Sequence, residues 1–134
     1  MYLLDTCTLL WLAADSEELP QQVRELLVTN GGMIFCSAIS GLEIAIKVRQ
    51  KKLKLPLPTA QWFPQVLAHH GVADIALSAE AAILSGELPL IHNDPFDRLI
   101  IATALTNGMS IITPDSVIAE YPQVETIWSA ELTT

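Results

Sequence analysis

Short apolar segments alternate with helix-like segments along the whole chain, and this alternation constrains the fold most. Buried strands are predicted at residues 2–4, 33–36, 72–77, 110–113 and 124–128. Helical spacing of apolar residues predicts helices at residues 6–13, 19–28, 42–52, 59–70, 79–85 and 96–106. Apolar strands that alternate with helices indicate a mostly parallel sheet covered on both faces. We therefore expect an α/β fold, a three-layer α/β/α sandwich.

The composition limits the class of protein. A chain of 134 residues is the size of one domain, which we predict to span residues 1–134. Half of the residues are hydrophobic (51%) and 16% are charged, which excludes a disordered protein. No apolar run approaches the roughly 20 residues of a membrane span. Cys7 and Cys36 lack zinc-site spacing, and the apolar start lacks a basic leader, so we expect a cytoplasmic protein.

The charge distribution is uneven. The net charge is −8, which by itself argues against nucleic-acid binding. Five of the seven basic residues nevertheless lie between Lys47 and Lys54. Lys47, Lys51 and Lys54 follow helical spacing and could form one phosphate-binding face, although a solvated helix face is the alternative.

Four acidic residues lie at or near the ends of predicted strands. Asp5 closes the first strand and Asp115 follows the fourth, whereas Glu43 and Asp97 lie near the starts of helices. Ligands of parallel α/β folds bind outside the carboxyl ends of the strands. We therefore expect Asp5, Glu43, Asp97 and Asp115 to converge on one pocket.

Convergence of four carboxylates has an electrostatic consequence. Two unit charges ~4 Å apart repel by about 4 kcal/mol at an effective dielectric constant near 20. Either the pKa values rise or a divalent cation binds. Oxygen ligands favour Mg²⁺ or Mn²⁺ over zinc. Such a cation polarises a phosphate and lowers the pKa of bound water, which is typical of phosphoryl transfer.

Each acid also has a structural explanation. Asp5, Asp94 and Asp115 could each cap the helix that follows, with Pro95 in the first turn after Asp94. Asp97 would then favour the helix dipole. Glu43 could simply pair with Lys47 one turn later.

Several segments together resemble the PIN-domain family, and most closely the toxin subunits of VapBC-type toxin–antitoxin pairs. The segments are YLLDT (2–6), SAISGLEIAIKVR (37–49), LKLPLP (53–58), LPL (88–90), HNDPFDRLIIATA (92–104) and IITPD (111–115). The resemblance implies a parallel-sheet α/β/α sandwich and a Mg²⁺- or Mn²⁺-dependent endoribonuclease. Its acidic residues match Asp5, Glu43, Asp97 and Asp115, which would hold the metal and carry out catalysis.

The resemblance also implies partners and supporting residues. It implies a homodimer and a small antitoxin, whose tail would place a basic residue among the carboxylates. Asp94 matches a further acidic position, and Thr6, Thr113 and His92 could support the site. Lys47, Lys51 and Lys54 could bind the RNA substrate. Arg98 is expected to be a structural ion-pair partner, and Cys7 departs from the polar residue expected at its position.

Two other functions are consistent with parts of the pattern. A haloacid-dehalogenase-like phosphatase also has an Asp after its first strand, but it needs a second Asp where Cys7 stands. A catalytically silent PIN-like binding or scaffold module would keep the fold without the reaction. The complete set of four acids favours the nuclease.

Overall fold

A computed structural model of the protein describes residues 1–128 and contains a five-stranded sheet. All neighbouring strands are parallel, in the order β3-β2-β1-β4-β5, which confirms the predicted sheet. The strands are β1 (Tyr2–Leu4), β2 (Ile34–Ser37), β3 (Ala73–Ile75), β4 (Ser110–Ile112) and β5 (Thr126–Ile127). The domain predicted over residues 1–134 includes residues 129–134, which lie outside the described residues.

Seven helices connect or follow these strands in the described range. They are α1 (Thr6–Ala13), α2 (Gln21–Thr29), α3 (Ala38–Arg49), α4 (Thr59–His70), α5 (Ala79–Glu87), α6 (Pro95–Asn107) and α7 (Ser116–Ala119). The bounds of α1 and α4 agree with the sequence prediction. The four residues of α7 were not predicted, because one turn is too short to show periodicity. Between residues 1 and 128, no helix has the length and apolarity needed to cross a membrane.

Apolar side chains fill both faces of the sheet. Successive residues of a strand point to opposite faces, and the central strand β1 shows this directly. Leu3 packs with Ile100 and other residues of α6, while Leu4 packs with Leu9 of α1 and Ile44 of α3. All of these side chains are fully buried. The two separate cores confirm the three-layer sandwich.

Helix α3 differs from its predicted bounds. It begins at Ala38, four residues earlier than expected, because the Ser37 hydroxyl caps it by accepting a hydrogen bond from the Ile39 N–H (3.1 Å). It ends at Arg49, and Lys51 has a positive φ of 60°. Lys47, Lys51 and Lys54 therefore do not share a helical face, and that part of the prediction is wrong.

Arg98 is a buried residue of α6, and the prediction of an ion pair is wrong for it. Its guanidinium instead donates hydrogen bonds to backbone carbonyls and to a tyrosine hydroxyl: Ser85 O, Leu88 O, Pro89 O, His92 O and Tyr121 Oη. Five donors in a planar fork can satisfy several carbonyls at once. The side chain thus fixes the segment between α5 and α6, which carries His92.

Candidate active site

The four predicted acids line one pocket. Asp5 and Asp115 follow β1 and β4, neighbouring strands of the sheet, while Glu43 and Asp97 come from α3 and α6. The lining residues are Asp5, Thr6, Cys7, Leu10, Trp11, Glu43, Lys47, Asp94, Asp97, Pro114 and Asp115. The parallel sheet places both strand exits at one edge, which explains how residues 110 positions apart meet.

Asp5 is buried at the start of α1. One carboxylate oxygen accepts a hydrogen bond from the Thr8 N–H (2.8 Å), and the other accepts one from the Thr113 hydroxyl. The Thr113 hydroxyl in turn accepts a hydrogen bond from the Asp115 N–H (3.0 Å). Burial raises the pKa of Asp5, the hydrogen bonds from Thr113 and Thr8 oppose this, and the charge of Asp115 adds to it. Thr113 therefore positions two of the acids.

His92, Asp97 and Asp115 form a close group of polar side chains beside the pocket. The His92 Nε2 atom lies 3.0 Å from Asp97 Oδ2 and 3.1 Å from Asp115 Oδ2. The Nδ1 atom accepts a hydrogen bond from the Asp94 N–H, so the neutral imidazole carries its proton on Nε2. Each residue offers one ligand atom within 4.8 Å of the other two. Sequence reasoning had placed His92 only in a supporting role.

A negative charge on Asp97 is unfavourable in the group that it forms with His92 and Asp115. Burial raises the pKa of Asp97 to about 7, with further increases from the charges of Asp94, Glu43 and Asp5. The contact with His92 acts in the opposite direction. Asp97 therefore retains a proton at pH values where an ordinary carboxyl group has lost it.

Glu43 is buried in the second turn of α3 and has one ionic partner. Its Oε2 atom lies 3.0 Å from the ammonium nitrogen of Lys47. Its Oε1 atom is buried and has no hydrogen-bond partner among residues 1–128. Burial lowers the pKa of Lys47, but Glu43, Asp94 and Asp97 outweigh this and raise it overall. Lys47 is therefore a permanent cation at this acidic pocket.

The predicted helix caps are present as well. Asp5 caps α1, Asp94 caps α6 and Asp115 caps α7, each through a hydrogen bond to a backbone N–H. For Asp5 and Asp115 the cap uses Oδ1, while Oδ2 contacts Thr113 or His92. Capping and pocket formation are thus compatible, because a carboxylate has two oxygen atoms.

Other residues near the pocket hold its walls. The Thr6 hydroxyl is hydrogen bonded to the buried Ser40 hydroxyl (2.8 Å), which joins α1 to α3. Burial and the charge of Asp5 raise the pKa of Cys7 to about 11, so its thiol stays neutral. The second carboxylate that a haloacid-dehalogenase-like phosphatase requires is therefore missing at this position.

The donor set fits a hard divalent cation. The pocket supplies carboxylate oxygens from five residues, and the Glu43 Oε1 atom among these oxygens is unpaired within residues 1–128. Mg²⁺ and Mn²⁺ prefer oxygen ligands, and a buried acceptor without a partner is costly. Burial and, to a lesser extent, repulsion between the acids raise the pKa values of Asp5 and Asp97. A cation would satisfy the Glu43 oxygen and reduce that repulsion.

Comparison with known proteins agrees with this fold. A model of the PIN domain matches residues 2–124. The chain belongs to the PIN domain family. Ribonuclease VapC22 from Mycobacterium tuberculosis is 28% identical over 130 residues, covering 94% of this chain and 97% of that protein.

Solved structures share the architecture of this PIN domain. VapBC2 from Rickettsia felis, bound to a promoter DNA fragment, has 22% identity and a TM-score of 0.70, with 96% of this chain and 98% of that chain covered. DNA-bound VapBC from Salmonella typhimurium has 18% identity and a TM-score of 0.69, with 94% and 96% covered. At these identities the likeness shows the fold alone.

Proposed function

We propose that this PIN domain is a divalent-cation-dependent endoribonuclease, the toxin of a type II toxin–antitoxin pair. The observation that carries the proposal is the pocket lined by the four predicted acids and Asp94, in which the buried Glu43 Oε1 atom has no partner among the described residues. The relative named as a ribonuclease supports the substrate class. Mg²⁺ or Mn²⁺ is the expected cofactor.

The side chains of the pocket have distinct tasks in this proposal. Asp5, Glu43, Asp97 and Asp115 are the residues that would hold one or two cations. When bound, a cation polarises the phosphodiester and lowers the pKa of an attacking water. Thr113 orients Asp5 and fixes the backbone at Asp115, and the His92 imidazole holds Asp97 and Asp115 close together. Water adds to phosphorus, one ester bond breaks, and the leaving oxygen gains a proton.

RNA must approach a strongly acidic protein. Lys47 lies at the pocket, whereas Lys51 and Lys54 lie beyond the end of α3. We propose that all three contact RNA phosphates and offset the repulsion from the acids. Because α3 ends at Arg49, these three lysines lie on both sides of the helix end and do not share one helical face.

An apolar groove adjoins the pocket and suits the antitoxin. Leu10 and Trp11 line both the pocket and this groove, which continues along α1, the segment 53–56 and Trp62. One solved neighbour, from Klebsiella pneumoniae, is named as a toxin–antitoxin complex. We propose that an apolar antitoxin segment occupies the groove and places a basic residue among the carboxylates. Trp62 also belongs to the core, being only 6% exposed.

The homodimer and the cytoplasmic location are parts of the same proposal. Leu42 is 50% exposed on α3, and the next turn presents Ile46 beside Phe96 at a second recess. Such an apolar surface is suited to a second copy of the chain. Both Cys7 and Cys36 are free thiols, as in reducing compartments.

The decisive experiment is cleavage of RNA by an Asp5→Asn variant. Wild-type protein is expected to cleave in Mn²⁺ or Mg²⁺ and to stop in EDTA, whereas the Asp5→Asn protein is expected to lose at least about 100-fold in rate. The exposed Asp74, outside the pocket, offers the matched control Asp74→Asn, which should keep wild-type activity. Thermal unfolding of all three proteins verifies that they are folded.

The result also separates the alternatives. A well-folded wild-type protein that binds Mn²⁺ and RNA but never cleaves would indicate a catalytically silent binding module. Activity on a small phosphate ester but not on RNA would indicate a phosphatase. Full RNA cleavage by Asp5→Asn would defeat the assignment of the pocket.

A further inference from the structure

Lys47 occupies an unusual place for a surface lysine. Its ammonium is 3.0 Å from Glu43 Oε2, and the charges of Asp94 and Asp97 also act on it. Its side chain is 42% exposed, whereas that of Glu43 is 8% exposed. The same residue lines the acidic pocket and a neighbouring recess formed with Gln50, Asn93 and Phe96. Lys47 thus stands between two recesses, one of them strongly acidic.

The partner of this ammonium is a buried carboxylate with few other contacts. Among the described residues, Lys47 is the ionic partner of Glu43 Oε2, and Glu43 Oε1 has no hydrogen bond. A buried carboxylate needs a compensating charge, and loss of its partner is costly. Lys47 therefore supplies a positive charge beside Glu43 and holds this carboxylate in place without a cation.

A divalent cation on Glu43 would meet this ammonium on the same carboxylate. Like charges at such short range repel strongly even at a high effective dielectric constant. The Lys47 side chain is long, flexible and partly exposed, so its ammonium group can move away from Glu43. The adjoining recess, which Gln50 and Asn93 help to line, offers the displaced ammonium polar contacts.

We propose that Lys47 is a built-in counter-ion that competes with the divalent cation for Glu43 and leaves this carboxylate when the cation binds. The proposal rests on the cation site proposed above. It assigns a regulatory cost to cation loading: an ammonium already paired with Oε2 opposes the arrival of a cation at the open Oε1 atom of the same carboxylate. The displaced ammonium is then free to contact an RNA phosphate beside the pocket.

Mn²⁺ binding to a Lys47→Met variant tests this competition without any RNA. Free Mn²⁺ is measured by electron paramagnetic resonance while the metal is added to each protein at constant ionic strength. The Lys47→Met protein should bind Mn²⁺ at least about fivefold more tightly than wild type, because the competing charge is gone. Lys52 is exposed and outside the pocket, so Lys52→Met removes the same charge and should stay within about twofold of wild type.

A charge-preserving variant and a metal-free measurement complete the design. Lys47→Arg should bind Mn²⁺ as weakly as wild type. Without metal, Lys47→Met should unfold at a lower temperature than Lys52→Met, because Glu43 loses its partner. If Lys47→Met does not fold, Lys47→Gln, which keeps a polar head, takes its place.

The outcomes distinguish the two proposals. Wild-type binding of Mn²⁺ together with equal or weaker binding by Lys47→Met would overturn the competition and leave the cation site standing. Absence of Mn²⁺ binding in wild type, Lys47→Met and Lys52→Met would refute the cation site, and the competition with it.

Discussion

Two buried charged side chains in this PIN domain, Arg98 and Glu43, differ in how completely their hydrogen bonds are satisfied. Arg98 is 8% exposed, and its guanidinium donates to four backbone carbonyls and the Tyr121 hydroxyl. Glu43 is 6% exposed, yet one of its oxygens has no partner among residues 1–128. The Arg98 guanidinium is satisfied by partners within the fold, whereas one oxygen of Glu43 has no partner in the part of the chain that the structure describes.

The difference separates structural charges from charges that are available for ligands. A buried charge with satisfied hydrogen bonds stabilises the arrangement around it, and here Arg98 fixes the segment that carries His92. A buried carboxylate with an open oxygen costs stability until something binds to it. In the same pocket, burial raises the pKa values of Asp5 and Asp97, so a negative charge on either of these carboxylates is also costly there.

The largest expected effect is at Arg98. Arg98→Met should reduce the free energy of unfolding by at least about 3 kcal/mol, because several buried carbonyls lose their donor together. Urea denaturation measures the change. Arg49 is exposed at the end of α3, so Arg49→Met is the matched control and should change stability by less than about 0.5 kcal/mol. Equal effects of the two substitutions would contradict the structural role of Arg98.

A substitution in the pocket should act in the opposite direction. Without divalent cations, Asp97→Asn should stabilise the protein by about 1–2 kcal/mol at pH 8, because it removes a buried charge repelled by Asp94, Glu43 and Asp5. The amide oxygen can still accept the hydrogen bond from His92. Chemical denaturation in EDTA measures the gain, and destabilisation at pH 8 would contradict the argument.

The gain should depend on pH with a defined sign. The native state keeps a proton on Asp97 up to about pH 7, whereas the unfolded chain loses it near the ordinary value of 3.8. Between these values the native state binds more protons, so the wild-type free energy of unfolding falls as pH rises. The advantage of Asp97→Asn should therefore be near zero at about pH 4 and reach its maximum above about pH 7.

The smallest effect concerns charges that are exposed. A Lys51→Gln and Lys54→Gln double variant should keep its stability within about 0.5 kcal/mol but bind RNA more weakly. Two lost phosphate contacts should flatten the slope of log K against log salt by about 1.4 for single-stranded RNA. Binding is measured in the Asp5→Asn background to prevent cleavage. An unchanged slope would show that Lys51 and Lys54 do not contact RNA phosphates.

Local patterns predicted much of the fold and of the pocket. The bounds of α1 and α4 and the parallel sheet followed from apolar periodicity and chain breaks. The proximity of Asp5, Glu43, Asp97 and Asp115 followed from their positions at strand and helix ends. The early start of α3 was missed, because the apolar pattern placed its start at residue 42 whereas the Ser37 hydroxyl caps it four residues earlier.

Long-range contacts account for the other errors. Arg98 was expected to pair with an acid because charge is visible in a sequence, whereas backbone carbonyls are present in every residue and carry no signal. His92 was expected only to support the site, although it bridges Asp97 and Asp115 at hydrogen-bond distance. The Thr113 hydroxyl links Asp5 to Asp115, and nothing in the order of residues shows that link.

The amino-acid sequence by itself determined the kind of fold and which acids would meet, because period, caps and strand exits are local properties. Only the tertiary structure decided how each buried charge is satisfied. Hydrogen-bond partners such as Tyr121 for Arg98 or Thr113 for Asp5 come from distant parts of the chain. Whether a buried charge stabilises the fold or remains open to a ligand depends on those distances, which arise when the layers pack.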